Sequence, residues 1–222
     1  SKELKPAWTM AADVSVYYRQ PIELPMGTSY FALGFNLSNL GGKMTYDNLH
    51  NNFIPANMRI GASYELAFDN YNRLMAAVEC DKMLVPASKS STYAKDDQGN
   101  LLTGQQYSDW YSNLSSPNGW WQSFADAKGG AKEEFDEVHW GAGLEYSYDR
   151  KFFGRVGYSH ENKLKGNRRY VTVGAGFALS IVRVDVSYCI ATAASNPLDQ
   201  TMRFTLGFDL AGIKDIVDNR KR

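Results

Sequence analysis

The chain has 222 residues, 44% of them hydrophobic and 14% aromatic, which suits one large all-β domain and is too apolar for a disordered tail. Its 24 Lys and Arg balance 24 Asp and Glu, so the basic footprint of a nucleic-acid binder is missing and no nucleic-acid partner is expected. No run of about 18 apolar residues occurs, which excludes a transmembrane helix but not a transmembrane barrel, whose signal per segment is far weaker.

In chain order, the first clear period of 2 is WTMAADVSVYYR, where Trp8, Met10, Ala12, Val14, Val16 and Tyr18 oppose Thr9, Ala11, Asp13, Ser15 and Arg19. A turn region, QPIELPMGTS, separates it from YFALGFNLSNL, with Phe31, Leu33, Phe35 and Leu37 on one face. The loop GGKMTYDNLHNNFIP leads into ANMRIGASYELAFD, where Met58, Ile60, Ala62, Tyr64, Leu66 and Phe68 alternate with Arg59, Gly61, Ser63, Glu65 and Asp69. After a short NYN turn, Leu74, Ala76, Val78 and Cys80 oppose Glu79 and Asp81. Residues 87–136 hold no sustained period and read as a long loop, rich in Ser, Asp, Gly, Gln and Asn, in which SFADAKGGAKEEFDE has room for a helical turn. Alternation resumes in VHWGAGLEYSYD and in Phe152 to His160. The window RRYVTVGAGFALSIVRVDVSYCIA then shows two strands and their tight turn at once, and MRFTLGFDL is the last strand.

About nine strands of roughly 9 to 12 residues match what is needed to cross a bilayer at a barrel's tilt. Alternation alone also fits a soluble sandwich with its polar face in water. The connections decide between them, because after the first they alternate strictly between tight turns and larger loops, the asymmetry of outer-membrane barrels. With the tight turns on the periplasmic side, the first strand begins on the extracellular side. A closed barrel with an even strand number then requires an odd number of strands before Ser1. The expectation is therefore an all-β, antiparallel transmembrane β-barrel, of which residues 1–222 are the C-terminal part, mature or truncated since no signal peptide stands at Ser1.

Candidate chemistry is sparse. Inward positions carry Asp13, Glu65, Glu79, Glu145 and Asp185 with Arg59, Arg155, Arg183 and Arg203, a near-balanced set better explained as paired charges filling an interior than as a conduction path. His50, His139 and His160 lack metal-ligand spacing, no GxSxG elbow accompanies the Ser-rich SKSSTY, and the GAGF and GGK glycines suit strands and turns rather than a phosphate cradle. Neither catalysis nor a cofactor or metal is expected. Cys80 falls on the apolar face and Cys189 on the polar one, which predicts two free thiols.

Four segments in order, YFALGFNLSNLGGKMTYD, FIPANMRIGASYEL, KGNRRYVTVGAGF and SNPLDQTMRFTLGFDL, resemble the PorV (LptO) outer-membrane proteins of the Bacteroidota type IX secretion system. The resemblance implies a FadL-like barrel of about 14 strands, these being the last nine, set in the lipid of the outer membrane. It also implies a non-catalytic role, in which the protein receives cargo at the translocon pore, binds the cargo's C-terminal signal domain and delivers it to the cell-surface attachment complex. The alternative is a FadL-like channel for hydrophobic small molecules, against which the polar inward residues count. Loop 87–136 is expected to be extracellular, with Trp110, Tyr111, Trp120, Trp121 and Phe124 as partner-binding residues, and Trp110, Trp120 and Trp121 foremost as anchors. Packing on the barrel rim is the competing role for these rings.

Overall fold

The computed structural model describes residues 6–45, 51–86, 95, 98–127, 130–163, 165–179, 181–193 and 198–209. His50 and the stretch SKSSTY lie outside them. Nine strands form one sheet in sequence order: β1 (Ala11–Leu24), β2 (Gly27–Gly41), β3 (Asn57–Ala67), β4 (Asn72–Met83), β5 (His139–Tyr148), β6 (Phe152–His160), β7 (Tyr170–Leu179), β8 (Val182–Ala191) and β9 (Thr201–Phe208). Three helices, α1 (Gly104–Asn113), α2 (Ser116–Gln122) and α3 (Ala131–Asp136), lie between β4 and β5. No helix among the described residues is long and apolar enough to cross a membrane.

The first connection differs from expectation. β1 runs on through Pro21 to Leu24, and only residues 25–26 remain for the turn, across which Thr28 donates to Glu23 at 3.0 Å. Pro21 therefore lies within β1 rather than in the turn. Tight turns at 25–26, 68–71, 149–151 and 180–181 therefore alternate with larger connections at 42–56, 84–138, 161–169 and 192–200 along the whole sheet. A second difference is that α1 and α2 stand where a loop was expected, whereas α3 falls within SFADAKGGAKEEFDE, the stretch with room for a helical turn.

Two compact units divide the chain, one of Ser1–Tyr17, Gly34–Ile60 and Cys80–His139, the other of Tyr18–Leu33, Gly61–Glu79 and Trp140–Arg222. In the second unit the expected faces are realised in an order opposite to that of a water-soluble sheet. Leu144, Val156, Val173 and Leu206 are exposed, whereas Ser147, Ser159 and Arg73 are buried. Register places Val156 opposite both Leu144 and Val173, so the exposed aliphatic groups form one stripe across β5, β6 and β7. Aromatic rings flank it: Trp140 stacks on His160 at 5.1 Å at one end of the β5–β6 hairpin, and Tyr71 stacks on Tyr148 at 6.1 Å at the other. Aliphatic belt and aromatic girdles together are the lipid-facing surface of a transmembrane β-barrel wall.

The opposite face is lined by glycine and paired charge. Arg155 donates to Glu145 and to Asp185, each at 2.5 Å, and Arg183 donates to Asp185 at 2.9 Å. Gly176 makes room for this network, since a Cβ there would strike the Asp185 carboxylate and lie 3.1 Å from Arg155 Nη1. The inward charges of β5, β6 and β8 are thus mutually neutralised. Cys80 and Cys189 are free thiols.

The β3–β4 turn predicts an acid-sensitive element. Asp69 Oδ1 accepts from the backbone N–H groups of Asn72 (2.6 Å) and Tyr71 (2.7 Å), and Oδ2 accepts from the Asn72 amide at 2.7 Å. These bonds, the Asn72 N–H foremost, hold the carboxyl below its ordinary value of 3.8. A depressed carboxylate stabilises the fold above its unfolded value and loses that contribution as pH falls through the folded one. Amide exchange at Tyr71 and Asn72 should therefore accelerate below about pH 3.8 relative to neighbouring strand amides. Asp69→Asn keeps the Oδ1 acceptor and should abolish the pH dependence; identical acid profiles in the two proteins would refute the assignment.

Candidate functional site: the helical insert between β4 and β5

Each helix of the insert is short, so tertiary contacts must hold it. In α1, Tyr107, Trp110 and Tyr111 stand at i, i+3 and i+4 and share one face. Tyr107 is 2% exposed, with its ring centroid 5.5 Å from Trp110 and 6.0 Å from Tyr111. Tyr111 meets Phe53 of the 42–56 connection edge-on at 5.2 Å. That connection is closed on itself by paired 2.8 Å backbone bonds between Met44 and Asn52.

Lys43 makes the second link. α1 has no basic residue in its last turn to meet its free carbonyls, and the Lys43 ammonium supplies that charge from the other segment. It donates to Tyr111 O at 2.5 Å and Ser112 O at 3.3 Å while lying 4.2 Å from the centre of the Phe53 ring. Burial lowers the Lys43 pKa from its ordinary value, and burial raises that of Tyr111. α2, with Pro117 in its first turn, is seated by Gly119. A Cβ at Gly119 would come within 2.5 Å of Phe53 Cε1 and 3.3 Å of Pro86 Cγ.

α3 is tied to the end of β4 by Lys82. This lysine has the parity of Val78 and Cys80, where the alternation predicts an apolar residue, yet it is 6% exposed. Its ammonium donates to Glu137 at 2.8 Å and Glu134 at 3.0 Å, and lies 5.8 Å from the Phe124 ring. Glu134 also accepts from the Ala127 N–H at 2.8 Å, closing the segment that leads into α3. The carboxylates of Asp126, Glu134 and Glu137 come within 4.8 Å of one another, and Lys82, bonded to two of them, supplies the positive charge there.

The five residues singled out from sequence separate into two groups. Trp110, Tyr111 and Trp120 are half-buried, the first two within the ring cluster that binds α1 to the 42–56 connection. Trp121 is 77% exposed and Phe124 is also exposed. Phe135 of α3, 74% exposed, was not anticipated, nor were Tyr107, Lys43 and Lys82. Tyr107 carried a sequence signal in its spacing to Trp110 and Tyr111. Lys82 carried one as a charge on an apolar face.

Residues 1–90 match the family model of the type IX secretion system protein PorV. Over this span, which is less than half of the chain, the sequence is similar to that family. No curated protein matches it. The matched family is, by its description, a protein of the type IX secretion system. The PorV span carries β1 to β4 with Lys43, Phe53 and Lys82, whereas the insert helices and β5 to β9 lie beyond it, as do the segments KGNRRYVTVGAGF and SNPLDQTMRFTLGFDL. Lys43–Tyr111 and Lys82–Glu134 therefore join PorV-matched residues to the insert.

Proposed function

We propose that the protein is a non-catalytic carrier of type IX secretion on a FadL-like outer-membrane barrel. It receives cargo at the translocon pore, binds the cargo's C-terminal signal domain, and passes it to the cell-surface attachment complex. The insert between β4 and β5 is the extracellular contact surface in this reading. Trp121 carries the argument, being 77% exposed on a helix whose seat is set by Gly119 against Phe53 and Pro86. A large ring held out on a braced backbone gives contact area at small ordering cost and is the usual form of a binding anchor. The outward side of Phe135 extends the apolar contact. A channel for apolar small molecules fits less well with an inward wall carrying Glu145, Arg155, Arg183 and Asp185.

Trp121→Ala is expected to weaken capture of a purified cargo C-terminal domain by about 2 kcal/mol or more, roughly 30-fold, with unchanged heat-modifiable migration of the barrel. The half-buried Trp120, replaced in the same way, should lower the stability of the insert as well as capture. Unchanged capture by both variants would remove the insert from the interface.

A further inference from the structure

We propose that a groove between the ends of β3 and β4 and the underside of α3 holds an acyl chain of a membrane lipid, an inference that rests on the outer-membrane reading. The groove has a volume of about 360 Å³ and is walled by Met58, Ile60, Cys80, Phe124, Phe135 and Val138, a size within the ~300–1,000 Å³ range of small-ligand sites. Its floor identifies the occupant. Met58 and Ile60 belong to the outward stripe of β3 and Cys80 to that of β4, the set of positions that the wall gives to hydrocarbon. The groove is therefore part of the lipid-facing surface, roofed by an element of the insert.

The charged groups beside it favour the same occupant. Lys82 is engaged by Glu134 and Glu137, and Asp81 accepts from Arg59 at 3.0 Å and from Asn57 at 3.4 Å. These charges are compensated in place, so an ionic ligand gains no strong partner and a methylene chain displaces none. Phe135, open on its other side, adds an aromatic wall of the sort enriched where hydrocarbon meets the interface.

The test uses the whole protein in nanodiscs of phosphatidylethanolamine bearing a photoactivatable diazirine on one acyl chain, with adducts mapped by mass spectrometry. Adducts are expected on the peptides containing Cys80 and Phe135, and also on the Val156 peptide as the mid-wall reference. Ala131→Trp places an indole in the groove and should remove the groove adducts while leaving those at Val156 and the barrel's heat-modifiable migration intact. Labelling at Val156 without labelling at Cys80 or Phe135, or groove adducts indifferent to Ala131→Trp, would overturn the inference while sparing the outer-membrane reading. Protection of the groove by a cross-linked protein in native membranes would overturn it in favour of a protein occupant. An unlabelled Val156 would overturn the membrane reading, and this inference with it.

Discussion

Lys82→Met is expected to release α3 from β4 at a cost of about 3–5 kcal/mol, the range found when one member of a buried ion cluster is deleted. The size follows from burial rather than from the number of bonds. Lys82 is nearly sealed, and the side chains of Glu134 and Glu137 are 15% and 19% exposed, so water cannot take over the role of the missing ammonium. Glu134 and Glu137 would then lose the ammonium they share, beside Asp126. The cost should be local, appearing as fast amide exchange across Ala131–Asp136 while β5 and β6 keep their protection. Combining Lys82→Met with Glu134→Gln and Glu137→Gln removes the stranded charges and should restore much of the loss. Unchanged exchange in α3 of the single variant would show that Lys82 does not hold the helix.

Val156→Arg should cost about 2–4 kcal/mol when the barrel is refolded into lipid, as expected for a cation on the lipid face near the bilayer midplane. Val156 is a better site for this test than Val184. It is the fifth of nine residues in β6, with Leu144 and Val173 opposite, whereas Val184 lies two residues inside the turn-side end of β8. An arginine at Val184 has a short path along which its guanidinium can reach the interface, and its cost should be smaller. On the inner wall, Ser187→Ala should be nearly silent. Refolding of Val156→Arg with the parent's urea midpoint would mean that the stripe does not face hydrocarbon.

The strands and their faces were legible because the period of 2 is a local property, written into every pair of successive residues. Pro21 reads locally as a breaker, which makes β1 look shorter in the sequence than the strand that the structure shows. The insert was harder to read. α1 shows an aromatic face only as Tyr107, Trp110 and Tyr111 within polar neighbours, and α2 carries Pro117 and Gly119. What stabilises them comes from Lys43 and Phe53, some sixty residues earlier. Composition located the aromatic candidates. It could not tell the rings that fasten the insert, Trp110 and Tyr111, from those that face outward, Trp121 and Phe135, because that division arises from where Phe53 and Lys82 stand in space.

The inverted wall also bears on how such a chain travels before it folds. Each strand is half polar in linear order: Val171, Val173 and Ala175 are interleaved with Thr172, Gly174 and Gly176, so no stretch is apolar enough to be retained by the first bilayer it meets. The hydrophobicity is present but divided. It becomes a continuous surface only once registers such as Leu144–Val156–Val173 bring alternate side chains to one side. Pairing thereby creates the greasy face and satisfies the backbone in the same step. Within these strands the apolar face is thus encoded in register rather than in a continuous apolar run, and a slip of one residue would turn the polar lining toward the lipid.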